Sequence, residues 1–459
     1  MTGSLATESP ARPVAPPRWG VLGFTALIAI TPALPYVPIL GSPVDVSDLG
    51  TLAAAAVGIV AALVSGCWRS LRIRRAPEAF ALALMVPFTL IAALHAGSLH
   101  SVAAGPARWL LNALVVALAY LMLRTPGDGQ RMIRALVAVA AFEAAFGLVA
   151  YALRWSGPGG YLGIMVTGGK IGGMPVWGRI TGTTAMAATF IGGLFALTLP
   201  IAVGLAMAAR GRARWAWSGT ALVIFGGLLF TLSRTPIGLA AVAVAVLLLA
   251  ATRPRVWVPI LVAAAAVFLA TPLRARMTNF QTDRLALWDA GWRMFTDHWF
   301  FGVGPDRYMQ FFDAYKQTRF GEATSTPHNS LLYVAAESGL LAALALALAI
   351  ALSFRFLRTR RPLVLGPMLG LAAFMVDAMT TNLYSIASIA VAAWMIAPSL
   401  APLFAGPGSQ PPGHTDTVTE DPRPAGPVTD QADPGDPVTD QAGRGGPVTD
   451  TRRSTASQD

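Results

Sequence analysis

The sequence predicts an all-α fold: a polytopic membrane helix bundle of about twelve transmembrane helices, with a partly helical external loop. Three observations predict it. Charged residues make up 12% of the 459 positions and hydrophobic ones 54%, whereas a soluble globular chain carries about 25% charge. The apolar residues gather into runs close to the roughly 20 residues that a helix needs to cross the hydrocarbon core. Arginines cluster between alternate runs, as the positive-inside bias requires. Together these exclude a soluble enzyme, a disordered chain and a nucleic-acid binder. The net charge of +11 does not reopen the last class. The tail after Gly406 holds nine acidic and four basic residues, and the body, near +16, carries its charge in short clusters between apolar runs.

The expected spans run at about 19–40, 49–68, 77–95, 108–123, 135–153, 184–209, 215–232, 236–251, 256–273, 328–354, 362–381 and 385–404. The first is too long and lacks the small-residue site of a cleavable signal. Arg69 to Arg75, Arg124 to Arg134, Arg210 to Arg214, Arg253 with Arg255, and Arg355 to Arg361 all fall on one side of a twelve-span chain. With Arg12 and Arg18 they place both termini in the cytoplasm, so the expectation is a multi-pass protein of the cytoplasmic (inner) membrane. The division follows: 1–18 a cytoplasmic segment, 19–405 the bundle, and 406–459 a tail. In that tail Pro427-Val-Thr-Asp430 recurs at Pro437–Asp440 and Pro447–Asp450. Units so rich in Pro, Gly and Asp bury no core and read as disordered. Cys67 stands alone, which excludes an internal disulfide.

Two external loops are long, 154–183 and 274–327. The second carries Arg274, Arg276, Arg284, Arg293, Arg307, Lys316 and Arg319 on the face where basic residues are disfavoured. An anionic ligand would account for them. Within it, 283–298 reads as an amphipathic interfacial helix, with Leu285, Trp288, Trp292 and Phe295 at three- and four-residue spacing. Gly302-Val-Gly304-Pro305 turns the chain, and a second helix is expected at about 306–317.

Thr326 reads as an N-cap with Pro327 in the first helical position, which puts His328 in the first turn of the next span. The positive end of the helix there attracts phosphates and keeps an imidazole neutral. Ser233-Arg234-Thr235-Pro236 repeats the arrangement: Thr235 is the expected cap, and Arg234 lies at the same face. Arg234 breaks the charge bias, and phosphate binding is preferred for it over headgroup snorkelling.

Glu143, Glu337 and Asp377 lie inside spans and default to protonated or paired structural carboxylates. Glu337 follows His328 by about 900° of helical rotation, on the opposite face. Asp45 and Asp48 offer a weak divalent-cation pair or, more simply, helix caps. There is no phosphate-loop signature, since Gly163 and Gly168 lead into Gly169 rather than lysine, and no zinc spacing.

Taken in order, Ser233-Arg234, Arg284 with Trp288, Gly302-Val-Gly304-Pro305, Pro327-His328-Asn329 and Glu337-Ser-Gly339-Leu resemble the bacterial O-antigen ligase and polymerase family over about 232–341. The resemblance implies a membrane glycosyltransferase with no metal or other cofactor. It would transfer a glycan from an undecaprenyl-diphosphate carrier to an acceptor hydroxyl at the external face. By that resemblance Arg234 and Arg284 grip the diphosphate and His328 assists the acceptor. Arg179, Lys170, Asn329 and Trp288 are supporting candidates. The implied partners are the lipid-linked donor, the bilayer, and a lipid, protein or glycan acceptor, which leaves ligase and polymerase both open. The rivals are a lipid-linked glycan transporter, for which a repeat of the two halves is missing, a metal-dependent transferase built on Asp45 and Asp48, and a membrane scaffold.

Overall fold

The computed structural model describes residues 15–35, 45–71, 73–157, 162–171, 174–184, 187–252, 283–316, 327–357, 359–383 and 387–404. All lie in the first of two units, Met1–Pro411. The repeat-bearing tail, the span expected at 256–273 and Thr326 are outside the described residues.

The described part is a helical membrane-type bundle. In chain order the helices are α1 (Arg18–Ile30), α2 (Val46–Ser65), α3 (Pro77–His95), α4 (Leu99–Ala104), α5 (Pro106–Met122) and α6 (Pro126–Ala152). Then come α7 (Ala188–Ala208), α8 (Arg212–Phe230), α9 (Arg234–Ala251), α10 (Asp283–Asp297), α11 (Tyr308–Tyr315), α12 (Ser330–Ser353), α13 (Pro362–Ala378), α14 (Ala387–Trp394) and α15 (Ile396–Leu400). Among the described residues eight helices are long and apolar enough to cross a membrane, and Arg18–Ala33, Pro362–Ala378 and Ile389–Leu403 are shorter apolar helices.

One expected loop is corrected. Segment 154–183 contains an antiparallel hairpin, β1 (Gly163–Ile171) paired with β2 (Met174–Gly182), so the fold is not purely α. Short β-branched stretches around glycine favour extended backbone, and a 20-residue hydropathy window averages such a period-two signal away. Ile164 faces Ile180 across the ladder, and both are fully buried. A Cβ at Gly147 of α6 would run into Ile180, so the glycine lets the hairpin sit directly on that helix.

At the centre, α7 packs against α13, α8 and α9 and is buried almost all round. Close approach to α13 depends on small residues. A side chain at Gly366 would meet the Pro200 carbonyl, one at Gly370 the Leu197 carbonyl, and one at Gly204 the Pro362 carbonyl. Helices in lipid associate through such contacts because no hydrophobic drive remains between them. Their consequence is positional: Asp377, in the last turn of α13, is held next to Gly193 of α7.

Helix α12 is broken. Gly339 has φ 78 and ψ 179, which no helix interior allows. The segment Trp299–Gly304 docks into the break: Val303 and Gly304 donate their N–H groups to the carbonyls of Ala336 and Glu337, both at 2.9 Å, and Leu340 N–H reaches the Trp299 carbonyl at 2.9 Å. Irregular backbone at such depth is stable where protein groups satisfy it. A Cβ on Gly302 would strike the Glu337 backbone, and one on Gly339 the Phe300 carbonyl. The Gly-Val-Gly-Pro and Glu-Ser-Gly-Leu sequences are therefore the two halves of one joint. Helices α10 and α11 cover it through Leu287, Ala290, Met294, Tyr308 and Phe312, which cluster with Val303 of the docked segment.

The far end of α12 is tied by charge. Arg355 pairs with Glu78 of α3, and the Tyr120 hydroxyl of α5 donates to Glu78 Oε2 at 3.0 Å while accepting from Arg355. Glu78 is 1% exposed. Glu78→Ala is expected to destabilise the protein by about 3–5 kcal/mol, because it strands a partly buried cation. Glu78→Gln, which keeps an acceptor for Tyr120, should cost less. Thermal unfolding in detergent checks this, and an unchanged midpoint for the alanine variant would refute it.

Candidate active site

The site is built where the first turns of α9 and α12, the start of α10 and the last turn of α13 meet. The turn before α9 has Leu232 at φ 52, a left-handed residue without the freedom of glycine. Arg179 of β2 holds it: Nε donates to the Thr231 carbonyl and Nη2 to Ser233 Oγ, both at 2.7 Å. Arg179 thus positions the turn. Helix α9 then starts at Arg234 with Ser233 as N-cap, not with Thr235 capping Pro236 as expected. Ser233 has the extended backbone of an N-cap, and the hairpin's grip sets the cap two residues earlier than the proline signal implied.

The start of α12 is corrected in the same way. Asn329 is the N-cap, its Oδ1 accepting from Leu332 N at 3.0 Å, and the helix begins at Ser330. His328 therefore precedes the helix instead of lying in its first turn, and it takes φ 47, the left-handed region. Asn329 spends its side-chain oxygen on the cap. Ser330 Oγ donates to the Thr381 carbonyl at 3.2 Å, fixing this end of α12 to the end of α13.

Arg284 is the hub. Its Nη1 donates to Thr235 Oγ1 at 3.3 Å, joining α10 to the first turn of α9. Burial pushes its guanidinium below the usual value; the Asp377 carboxylate acts against that shift and the Arg234 cation adds to it. It remains a cation, since guanidinium deprotonates only far above neutrality. Burial also pushes His328 down to about 4, with the Arg284 charge as the second cause. The imidazole is therefore neutral at physiological pH. Among the described residues no hydrogen bond or ion pair engages its ring. Trp288, one turn beyond Arg284, has a buried indole N–H with no partner among the described residues. Unmet donors of this kind are rare away from functional sites.

So the structure brings Arg234 and His328 each within electrostatic reach of Arg284, and it adds two residues that sequence reasoning left aside. Asp377 was read as a structural acid and Thr235 as a cap. The signal for Asp377 was available, an acid within the last turn of an apolar span. Lys170 lies in β1 opposite Pro175, and its side chain is outside the description. Glu337 is not part of this cluster. Its Oε1 accepts from Tyr308 N at 3.1 Å, so it anchors α11. Glu143 bonds Thr183 at the hairpin exit, its Oε2 accepting from Thr183 N at 2.7 Å. Asp45 and Asp48 form a reciprocal capping box at the start of α2, with Asp45 as the N-cap, so the simpler cap reading describes them and the box uses the acids that a cation would need. No group of three or more metal-ligating side chains occurs among the described residues.

A recess opens beside the cluster, at the same end of the bundle. Arg108 and Trp109 of α5, Asp306, and Ser330, Tyr333 and Glu337 of α12 line it; none of the three cluster residues does.

What this arrangement can do is bind an anion. The Arg284 guanidinium, at the starts of α9 and α10, lies within electrostatic reach of the Arg234 cation and of the neutral His328 imidazole ahead of α12, and such a gathering of positive charge and helix starts suits an anion. Residues 219–347 match the family model described as O-antigen ligase, a stretch that begins in α8 and ends in α12, with every residue of the cluster except Asp377 inside it. A search of curated proteins found no match to the chain.

Proposed function

We propose, from the match of residues 219–347 to the O-antigen ligase family model, that the chain is a multi-pass membrane glycosyltransferase working at the external face of the cytoplasmic membrane. The chain crosses about twelve times, with both termini and the 406–459 tail in the cytoplasm. Its donor is a glycan on undecaprenyl diphosphate. The observation that supports this reading is the half-buried Arg284, bonded to Thr235 at the start of α9 and within electrostatic reach of a second arginine, Arg234, and of the neutral His328.

The chemistry follows from the parts. The acceptor oxygen attacks the sugar's anomeric carbon, and the bond to the diphosphate breaks with its electron pair. Negative charge grows on the departing diphosphate. Arg284 and Arg234 stabilise that charge with planar, paired donors and without proton transfer. The Trp288 indole N–H is a further donor for a phosphate oxygen. His328, neutral before the donor arrives, takes the proton from the acceptor hydroxyl. Asp377 balances the excess positive charge and orients Arg284 when the site is empty.

Ligase and polymerase differ only in the acceptor: a lipid core or protein in the first, a lipid-linked repeat unit in the second. Purified protein with a lipid-diphosphate glycan and defined acceptors, assayed with and without chelator, tests the reading. Transfer with release of undecaprenyl diphosphate, undiminished by chelator, is the expected result. Donor translocation without glycosidic-bond formation would overturn it in favour of a transporter, and chelator-sensitive transfer would overturn metal independence.

A further inference from the structure

The recess beside the cluster differs from it in chemistry. The cluster is dominated by cations, whereas the recess mixes one cation, Arg108, with the carboxylates of Asp306 and Glu337 and the rings of Trp109 and Tyr333. A diphosphate gains nothing from two carboxylates. A sugar ring suits such a wall: its hydroxyls donate to carboxylates and accept from guanidinium, while its C–H face rests on an aromatic ring.

The wall is also firmly made. Asp306 holds the left-handed region at φ 59, and its Oδ2 meets His100 Nε2 at 2.5 Å, tying the 305–306 turn to α4. A Cβ at Gly105 would collide with Pro305, so this turn lies flush against the start of α5. Glu337 is fixed from the other side by Tyr308 N. The lining residues Ser330, Tyr333, Val334, Glu337 and Ser338 follow the spacing of a single helix face. Its first lining residue, Ser330, lies two positions after His328 along the chain, and the recess follows the unbroken first half of α12 from there.

We propose that this recess is a saccharide subsite, which holds one sugar ring of the reacting glycans beside His328. The proposal rests on the glycosyltransferase reading and deepens it. The ring comes either from the donor glycan or from a sugar-bearing acceptor, and the two sources give different results below.

The test uses the full-length protein in nanodiscs with Trp109→Ala, Trp109→Phe and Asp306→Asn. Asparagine tolerates the left-handed backbone at 306, and phenylalanine retains a ring at 109. Affinity is measured for bare undecaprenyl diphosphate and for the same lipid carrying an oligosaccharide, and KM is measured for a sugar-bearing acceptor. Bare lipid diphosphate should bind all variants as it binds the unaltered protein. A donor-side ring predicts about tenfold weaker binding of the glycosylated lipid in Trp109→Ala and Asp306→Asn, with Trp109→Phe close to normal. An acceptor-side ring predicts that both lipids bind normally while the acceptor KM rises by about the same factor and kcat holds. If neither the glycosylated lipid nor the acceptor is affected, the recess is no sugar site. If Trp109→Phe is as damaged as Trp109→Ala, or bare lipid diphosphate weakens equally, the effect is structural and the proposal fails. Failure of the glycosyltransferase reading looks different: the unaltered protein would then transfer no glycan to any acceptor, whatever its affinity for either lipid.

Discussion

Arg284→Ala is expected to lower glycan transfer by about 10²–10³-fold, the range seen when one donor to a developing oxyanion is removed. The expectation is large because this side chain is where the other charges meet. It bonds Thr235 of α9, and its charge acts on Arg234, His328 and Asp377. Arg284→Lys should restore part of the rate, since a lysine supplies charge but not two parallel donors. A second signature separates lost chemistry from lost folding. The Arg284 cation is one of the two causes that hold His328 low. Its removal should therefore move the acid limb of kcat/KM upward in pH, toward the ordinary histidine value. Arg234→Ala should weaken donor use in the same direction. Transfer and donor KM left unchanged by both alanine variants, at normal protein levels, would show that the diphosphate is bound elsewhere.

Much of this site was legible because its residues break rules that a membrane chain otherwise obeys. Arg234 and Arg284 are basic where topology disfavours bases, and His328 sits at a junction of proline signal and apolar run. What sequence reasoning placed wrongly were the positions that tertiary contact decides. Thr235 has the residue type of a cap, yet Arg179 reaches across from the hairpin and fixes the turn so that Ser233 takes that role. Pro327 resembles a first helical residue, but the chain turns at His328, with φ 47, and Asn329 becomes the cap. The hairpin escaped because its strands are nine residues each and rich in glycine, too short and too weakly patterned to register beside 20-residue apolar runs. The break at Gly339 was visible only as an ordinary small residue within a long apolar stretch. Its meaning depends on Phe300, 39 positions earlier, whose carbonyl lies against Gly339. No local window contains both. Asp377 was assigned as a default structural acid since nothing in its neighbourhood along the chain is basic; Arg284 reaches it from another element.

His328→Asn is expected to reduce turnover by about 10²–10⁴-fold, the usual contribution of a general base. Asparagine is the informative choice. Residue 328 has φ 47, and asparagine adopts that region readily, so the backbone ahead of α12 is kept and the loss is assigned to the ring. The pH dependence makes the test sharper. In the empty enzyme burial and the Arg284 charge put His328 at about 4, so the neutral, proton-accepting form prevails above that pH and is lost as the pH falls through it. The acid limb of kcat/KM, which reports the free enzyme, should lie there. A bound diphosphate places negative charge beside the same ring and favours imidazolium, which makes the ring a stronger base when the acceptor is present. The acid limb of kcat, which reports the loaded enzyme, should therefore lie at higher pH than that of kcat/KM. In His328→Asn both limbs should disappear and leave a slow rate that is flat in pH. Persistence of the limbs in that variant would assign them to another group. A loss of only a few-fold with the profile intact would reduce His328 to orienting the acceptor.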